Sequence, residues 1–135
     1  MADIRGEAER PVSPHLQIYK PTLTMVMSIM HRITGAALYF GSLLLTWWLV
    51  AAASGEAYFT YVSDLFGSIA GRLVLFGYTW ALIHHMLGGI RHLIWDTGRG
   101  FDLTSIDLLA RATVIGSLGL TLLIWVLGYM AMGAL

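Results

Sequence analysis

Three long apolar stretches dominate this chain of 135 residues. Residues 33–53, 73–90 and 112–135 contain no Asp, Glu, Lys or Arg. An α-helix rises about 1.5 Å per residue, so the first and third stretches can span a hydrocarbon core of roughly 30 Å. The second does so once its flanking residues are included. The pattern therefore predicts an all-α membrane protein with three transmembrane helices.

The segments between these stretches predict where the helices begin and end. Pro21 and Thr22 suit a helix start, because proline is tolerated in the first turn and threonine can cap it. Residues 54–67 are mildly polar and aromatic, which indicates an interfacial turn. No internal repeat is present, so we expect one membrane-anchor domain over residues 1–135. Its parts are an extramembrane arm at 1–21 and helices at approximately 22–53, 68–95 and 108–133.

The eight Lys and Arg residues are unevenly distributed around the predicted helices. Seven of them precede or open the first helix, or lie at or between the second and third. Cytoplasmic segments of membrane proteins carry an excess of Lys and Arg, so we expect a cytoplasmic N-terminus and a C-terminus on the far side. The seven are Arg5, Arg10, Lys20, Arg32, Arg91, Arg99 and Arg111, and the eighth is Arg72.

Composition narrows the possible chemistry. Hydrophobic residues make up 57% of the chain and charged residues 12%, which is too apolar for an ordinary soluble domain. The formal net charge is zero, so nothing indicates a nucleic-acid partner. The chain has no cysteine, which excludes a Cys-ligated iron–sulfur cluster and a thiolate haem. A redox role would need other ligands or the cofactors of a partner.

The second predicted helix carries a histidine deep in the apolar zone. His85 lies roughly 9 Å inside Arg91 along the axis, where ionisable groups are usually functional. Helical spacing places Gly88, Gly89 and His92 on the same side and leaves an open notch beside the imidazole. Neutral imidazole is a good axial ligand for haem iron. The alternatives are close helix packing at the glycines and a hydrogen bond between helices.

His84, Arg91 and His92 are polar residues close to His85, and the sequence gives weaker evidence that they have a functional role. His84 points about 100° away from His85, and an interhelical hydrogen bond is its favoured interpretation. Arg91 and His92 lie near the predicted cytoplasmic edge, where cationic groups meet either haem propionates or lipid phosphates.

A second polar group, Ser28, His31 and Arg32, shares one face at the start of the first helix. A hydroxyl one turn before a guanidinium suits a quinone, whose carbonyl needs a hydrogen bond and whose reduced intermediates gain negative charge. The alternative is an ordinary helix start, in which Arg32 anchors the helix and Ser28 bonds to its own backbone.

A membrane haem b with two histidine ligands would need a second chain. The first and third predicted helices offer no histidine at the depth of His85. His31 is expected to lie too near the membrane edge.

Three blocks give the chain a resemblance to a known family. Residues 10–21 read RPVSPHLQIYKP, residues 28–35 read SIMHRITG, and residues 85–96 read HMLGGIRHLIWD. In this order they resemble the larger, cytochrome b membrane anchors of succinate dehydrogenase, respiratory complex II. Length and hydropathy extend the resemblance over essentially the whole chain.

The resemblance implies a haem-containing helical bundle, half of it built by this chain and half by a second anchor subunit. It further implies docking to a flavoprotein subunit and an iron–sulfur subunit. His85 matches the haem b iron ligand, and the second axial histidine would come from the other anchor. One departure is the doublet, because the residue before the ligand is commonly not histidine, and His84 therefore remains a competing ligand.

The other implied roles follow by position. Ser28 and Arg32 match ubiquinone-site residues. The positions near the haem propionates are matched by His31, Arg91 and His92.

The function implied by the resemblance is reduction of ubiquinone with electrons from succinate, passed through FAD and iron–sulfur clusters in partner subunits. The alternatives are the anchor of a quinol:fumarate reductase and a haem-free structural anchor or assembly protein. The first residues lack the patterns of a signal peptide and of an Arg-rich transit peptide. We therefore expect a bacterial inner membrane.

Overall fold

The computed structural model describes residues 19–133, and this part of the chain contains four α-helices and no strand. Three of the helices are long and apolar enough to cross a membrane. The all-α fold with three transmembrane helices is thereby confirmed. Most of the predicted arm lies outside the described residues. The helices are α1 (Leu23–Ser54), α2 (Glu56–Gly67), α3 (Ile69–Asp96) and α4 (Leu103–Ala131), and the three membrane-length ones are α1, α3 and α4.

The segment expected to be an interfacial turn is instead the helix α2. Tyr58, Val62 and Phe66 recur every four residues and so share one helical face. That face packs on α1: the Trp47 indole N–H donates to the Tyr58 hydroxyl at 2.8 Å, and the Trp47 and Phe66 ring centroids are 5.7 Å apart. Gly55 separates α2 from α1 with a φ of 118°, which favours glycine.

The helix α4 begins at Leu103 rather than near residue 108. Asp102 caps it, because its side chain accepts a hydrogen bond from the Ser105 backbone N–H at 2.8 Å. Hydrogen bonding by Ser105 also holds the pKa of Asp102 below its usual value. Asp107 lies inside the helix and pairs with Arg111 one turn later, at 3.7 Å. Residues 103–107, which precede the expected helix at approximately 108–133, therefore belong to this membrane helix.

The helix α3 lies between α1 and α4 in the bundle and packs against both. Small polar residues of α4 are buried, which permits close approach of membrane helices. The Trp125 indole N–H of α4 also donates to the Thr79 hydroxyl of α3 at 3.2 Å. The buried residues of α4 are Ala110, Thr113, Ser117 and Thr121.

The contact between α1 and α3 depends on Gly41, and we expect Gly41→Ala to weaken it. A methyl group at this buried position would overlap with the Tyr78 ring of α3. Overpacking of this kind costs about 1 to 3 kcal/mol. The thermal midpoint of the solubilised protein should therefore fall.

Gly77→Ala is the matched control for this prediction. Nothing lies within 4 Å of a Cβ atom at Gly77, and alanine is the better helix former. Its thermal midpoint should be equal to or above that of the wild type. Equal losses in the two variants would contradict the role of Gly41.

Candidate functional site

Three of the predicted site residues form a cluster between α1 and α3. The His85 ring of α3 stacks on the His31 ring of α1, with centroids 4.0 Å apart and planes inclined by 6°. The His92 ring lies 5.0 Å from that of His31 and is tilted against it. We refer to His31, His85 and His92 as the histidine cluster.

The orientation of the His85 ring is set by the backbone of α1. Its Nδ1 atom lies 3.1 Å from the carbonyl oxygen of His31, which can only accept, so we assign the ring proton to Nδ1. The Thr34 hydroxyl is 3.4 Å from the same nitrogen and itself donates to the carbonyl groups of Met30 and His31. A neutral ring with its proton on Nδ1 has a free lone pair on Nε2. The ring is therefore held in one orientation, with Nε2 available as an acceptor.

Glycines on both helices make room for the stacked rings. A Cβ atom at Gly35 of α1 would lie 3.0 Å from His85 Cε1, and one at Gly88 of α3 would overlap with the His31 ring. Nothing lies within 4 Å of a Cβ atom at Gly89. The notch predicted beside His85 is thus partly filled by His31 and stays open at Gly89.

The prediction that no other histidine in the transmembrane helices reaches the depth of His85 is wrong for the described residues. His31 stacks directly on His85 and so lies level with it. Arg32 had suggested that the membrane edge was close, but α1 begins at Leu23, about 12 Å before His31 along the axis. A charged residue near the start of a stretch does not mark the helix end.

His84 points to the other side of α3. It is buried, and its Nδ1 lies 3.2 Å from the Ser117 hydroxyl of α4. The interhelical hydrogen bond that was the favoured interpretation of His84 is therefore present. The adjacent histidines contact different helices, His84 α4 and His85 α1.

The Arg91 side chain contacts Trp95 and α4. It is buried, and the guanidinium lies 5.1 Å from the centre of the Trp95 ring. Together with Leu109 and Thr113 of α4 it lines a small cavity. Of the three residues predicted near haem propionates, the structure brings together His31 and His92 and places Arg91 on the side of α4.

Ser28 and Arg32 are exposed on α1, one turn apart and next to His31. Arg32 has no ion-pair partner within residues 19–133, where the single pair is Arg111 with Asp107. A guanidinium and a hydroxyl thus lie one turn apart on a surface next to the histidine cluster. This arrangement can bind a polar oxygen and stabilise negative charge on it.

Two parts of this arrangement were absent from the sequence-based prediction. They are the carbonyl group of His31, which accepts from His85, and Thr34, whose hydroxyl lies beside the same nitrogen. Backbone acceptors leave no trace in a sequence. Thr34 does carry a signal, because it follows His31 by three residues and shares its helical face.

Comparison with known proteins places these features in a family. Residues 7–129 match the family described as succinate dehydrogenase/fumarate reductase transmembrane subunit. The chain is 42% identical over 118 residues to the succinate dehydrogenase cytochrome b556 subunit of Rickettsia prowazekii, covering 87% of this chain and 92% of the relative. It is also 42% identical over 123 residues to that of Paracoccus denitrificans, covering 91% and 94%. The mitochondrial cytochrome b560 subunit of Sus scrofa is 38% identical over 119 residues, 84% and 70% of the two chains.

Proposed function

The chain belongs to the succinate dehydrogenase/fumarate reductase transmembrane subunit family, and from this premise we propose that it is the cytochrome b anchor of a succinate:ubiquinone oxidoreductase. In this role it binds haem b and forms part of the site where ubiquinone is reduced. The relatives named as cytochrome b556 subunits, which align over nearly their full length, support the proposal.

The hydrogen bond from His85 Nδ1 to the His31 carbonyl group is the observation that carries the haem assignment. Metal-binding histidines usually donate their second ring N–H to a carbonyl or carboxylate, which fixes the ring and directs the other nitrogen to the metal. A haem needs only one or two protein ligands because its macrocycle supplies the other four. The half-buried ring of His85 and the open backbone at Gly89 therefore fit an axial ligand beside a flat group.

The second axial ligand belongs to the other anchor subunit in this proposal. His31 is at the right depth, but its ring lies face to face with His85 at 4.0 Å. Parallel rings at this distance leave no space for a haem between them, so His31 would not be the second iron ligand. Bound haem supplies one-electron redox chemistry, for which this chain provides one ligand and the surrounding polar groups.

The remaining polar groups take the roles that their positions allow. His31 and His92 supply hydrogen-bonding nitrogens at the edge of the site, in the vicinity proposed for the haem propionates. Arg91 contributes positive charge from the α4 side, where its contact with Trp95 holds it.

The quinone site is assigned to Ser28 and Arg32. The Ser28 hydroxyl donates a hydrogen bond to a quinone carbonyl oxygen, and the Arg32 guanidinium stabilises the negative charge that this oxygen gains on reduction. Complete reduction takes two electrons and two protons. FAD and iron–sulfur clusters in the flavoprotein and iron–sulfur subunits deliver the electrons from succinate, so this chain performs no succinate chemistry.

The same proposal sets the orientation in the membrane. Ser28 and Arg32 lie near the start of α1, at the end of the bundle that carries most of the Lys and Arg residues. We assign this end to the cytoplasmic face of a bacterial inner membrane, where the iron–sulfur subunit docks, and the C-terminus to the periplasm.

Isolation of the complex through a tag on this chain tests the function as a whole. The purified complex should contain FAD, iron–sulfur clusters and a second anchor, should show a b-type haem in the dithionite-reduced minus oxidised spectrum, and should reduce ubiquinone with succinate. An intact complex without the haem bands would support a haem-free anchor instead. A complex that reduces fumarate with quinol faster than it oxidises succinate would support a quinol:fumarate reductase.

A further inference from the structure

A large cavity lies at the end of the bundle away from the histidine cluster. Its volume is about 610 Å³, within the roughly 300–1,000 Å³ of small-molecule sites. All four helices of this chain contribute to its walls, which are mostly apolar. The cavity is therefore a partly open groove formed by this subunit's own helices.

A small number of polar groups belong to this cavity. Arg72, in the first turn of α3, is exposed at its edge, and its guanidinium lies 6.0 Å from the centre of the Tyr129 ring of α4. No carboxylate pairs with Arg72 in the part of the chain that the structure describes. The Ser63 hydroxyl of α2 lines the same cavity and is buried without a hydrogen-bond partner among residues 19–133.

We propose that this cavity binds a phospholipid, with one acyl chain between the helices and the phosphate at Arg72. The apolar walls match the acyl chain, and an arginine at the end of a membrane helix lies at the level of lipid headgroups. Rotation of the Ser63 side chain would let its hydroxyl donate to an ester carbonyl, which lies between the phosphate and the acyl chain. The exposed Arg72 guanidinium at the helix end can pair with a phosphate, and this charge complementarity favours a phospholipid.

Native mass spectrometry of the purified complex, titrated with dioleoyl phosphatidylglycerol, tests the site. We expect the wild-type complex to retain one phospholipid tightly. Arg72→Gln should weaken its binding about fivefold, because one basic residue at a membrane surface contributes a factor of that order. Arg72→Lys keeps the charge and should bind within about twofold of the wild type.

Filling the cavity supplies a second, independent variant. Nothing lies within 4 Å of a Cβ atom at Gly128, which lines the cavity, so leucine there should occupy the space of the acyl chain and abolish tight binding. Gly119→Leu is the matched control, because Gly119 lies on the same helix, is equally open and does not line the cavity.

The assembled mass in the same spectra shows which variants form the complete complex, and only these are compared. If Gly128→Leu fails to assemble, the pair Arg72→Gln and Arg72→Lys decides the question. Unchanged phospholipid binding in Arg72→Gln overturns the proposal. Loss of bound quinone instead of phospholipid in Gly128→Leu, or side chains of the second anchor occupying the cavity in the complex, overturns it as well.

Discussion

The His85→Ala variant of the assembled complex should lose its b-type haem bands, with the haem content falling more than about tenfold. Removing even an outer-shell partner of a metal ligand typically costs 10- to 100-fold in affinity, and the ligand itself contributes more. The measurement is the dithionite-reduced minus oxidised spectrum, normalised to the FAD content. Normalisation separates loss of haem from loss of the complex.

His84→Ala is the matched control, because the sequence offers two adjacent histidines on different faces of α3. His84 is hydrogen-bonded to Ser117, and bonds of this kind contribute on average only about 0.6 kcal/mol in membrane proteins. The His84→Ala complex should keep most of its haem. Loss of the bands in His84→Ala and their retention in His85→Ala would contradict the ligand assignment.

Arg32→Ala should lower succinate:ubiquinone reductase activity about a hundredfold, the effect of removing one donor to a developing oxyanion. Succinate oxidation with a soluble dye should change little, because the dye takes electrons from the partner subunits. The two assays on one preparation therefore separate quinone reduction from electron supply.

Arg111→Ala is the matched control for Arg32→Ala. Arg111 is also exposed, near the start of α4, and its partner is Asp107. In the Arg111→Ala variant, both the ubiquinone reductase activity and the succinate oxidation with dye should stay near the wild-type level. Equal loss of quinone and dye activity in Arg32→Ala would contradict the assignment and point to a role of Arg32 in assembly.

The number of membrane helices followed from the sequence because a charge-free run of membrane length has few other structures open to it. The helix α2 was missed because its aromatic residues were interpreted as headgroup anchors, although Tyr58, Val62 and Phe66 repeat at helical spacing. The start of α4 was missed because residues 96–107, which contain Gly98, Gly100 and Asp107, were interpreted as a polar linker. Both errors come from treating polarity as evidence against a helix.

The features of the candidate site that depend on the geometry of a single helix could be predicted from the sequence. Helical geometry alone separates His84 from His85 by about 100°, and the two side chains do contact different helices. The stacking of His31 on His85 depends on how far α1 is displaced along α3, which the sequence of neither helix specifies. The position of Arg91 was uncertain for the same reason, because its neighbours Leu109 and Thr113 come from a third helix.

The backbone bond from His85 to α1 has a further consequence for the spacing of the two proposed centres. The carbonyl group that orients His85 belongs to His31, which lies between Ser28 and Arg32 on one continuous helix. Little more than one turn of α1 thus fixes the spacing between the group that orients the proposed haem ligand and the proposed quinone-binding residues. One residue inserted between Ser28 and His31 would rotate the Ser28 hydroxyl by about 100° relative to the carbonyl group that orients His85. The length of this segment is therefore as constrained as its composition.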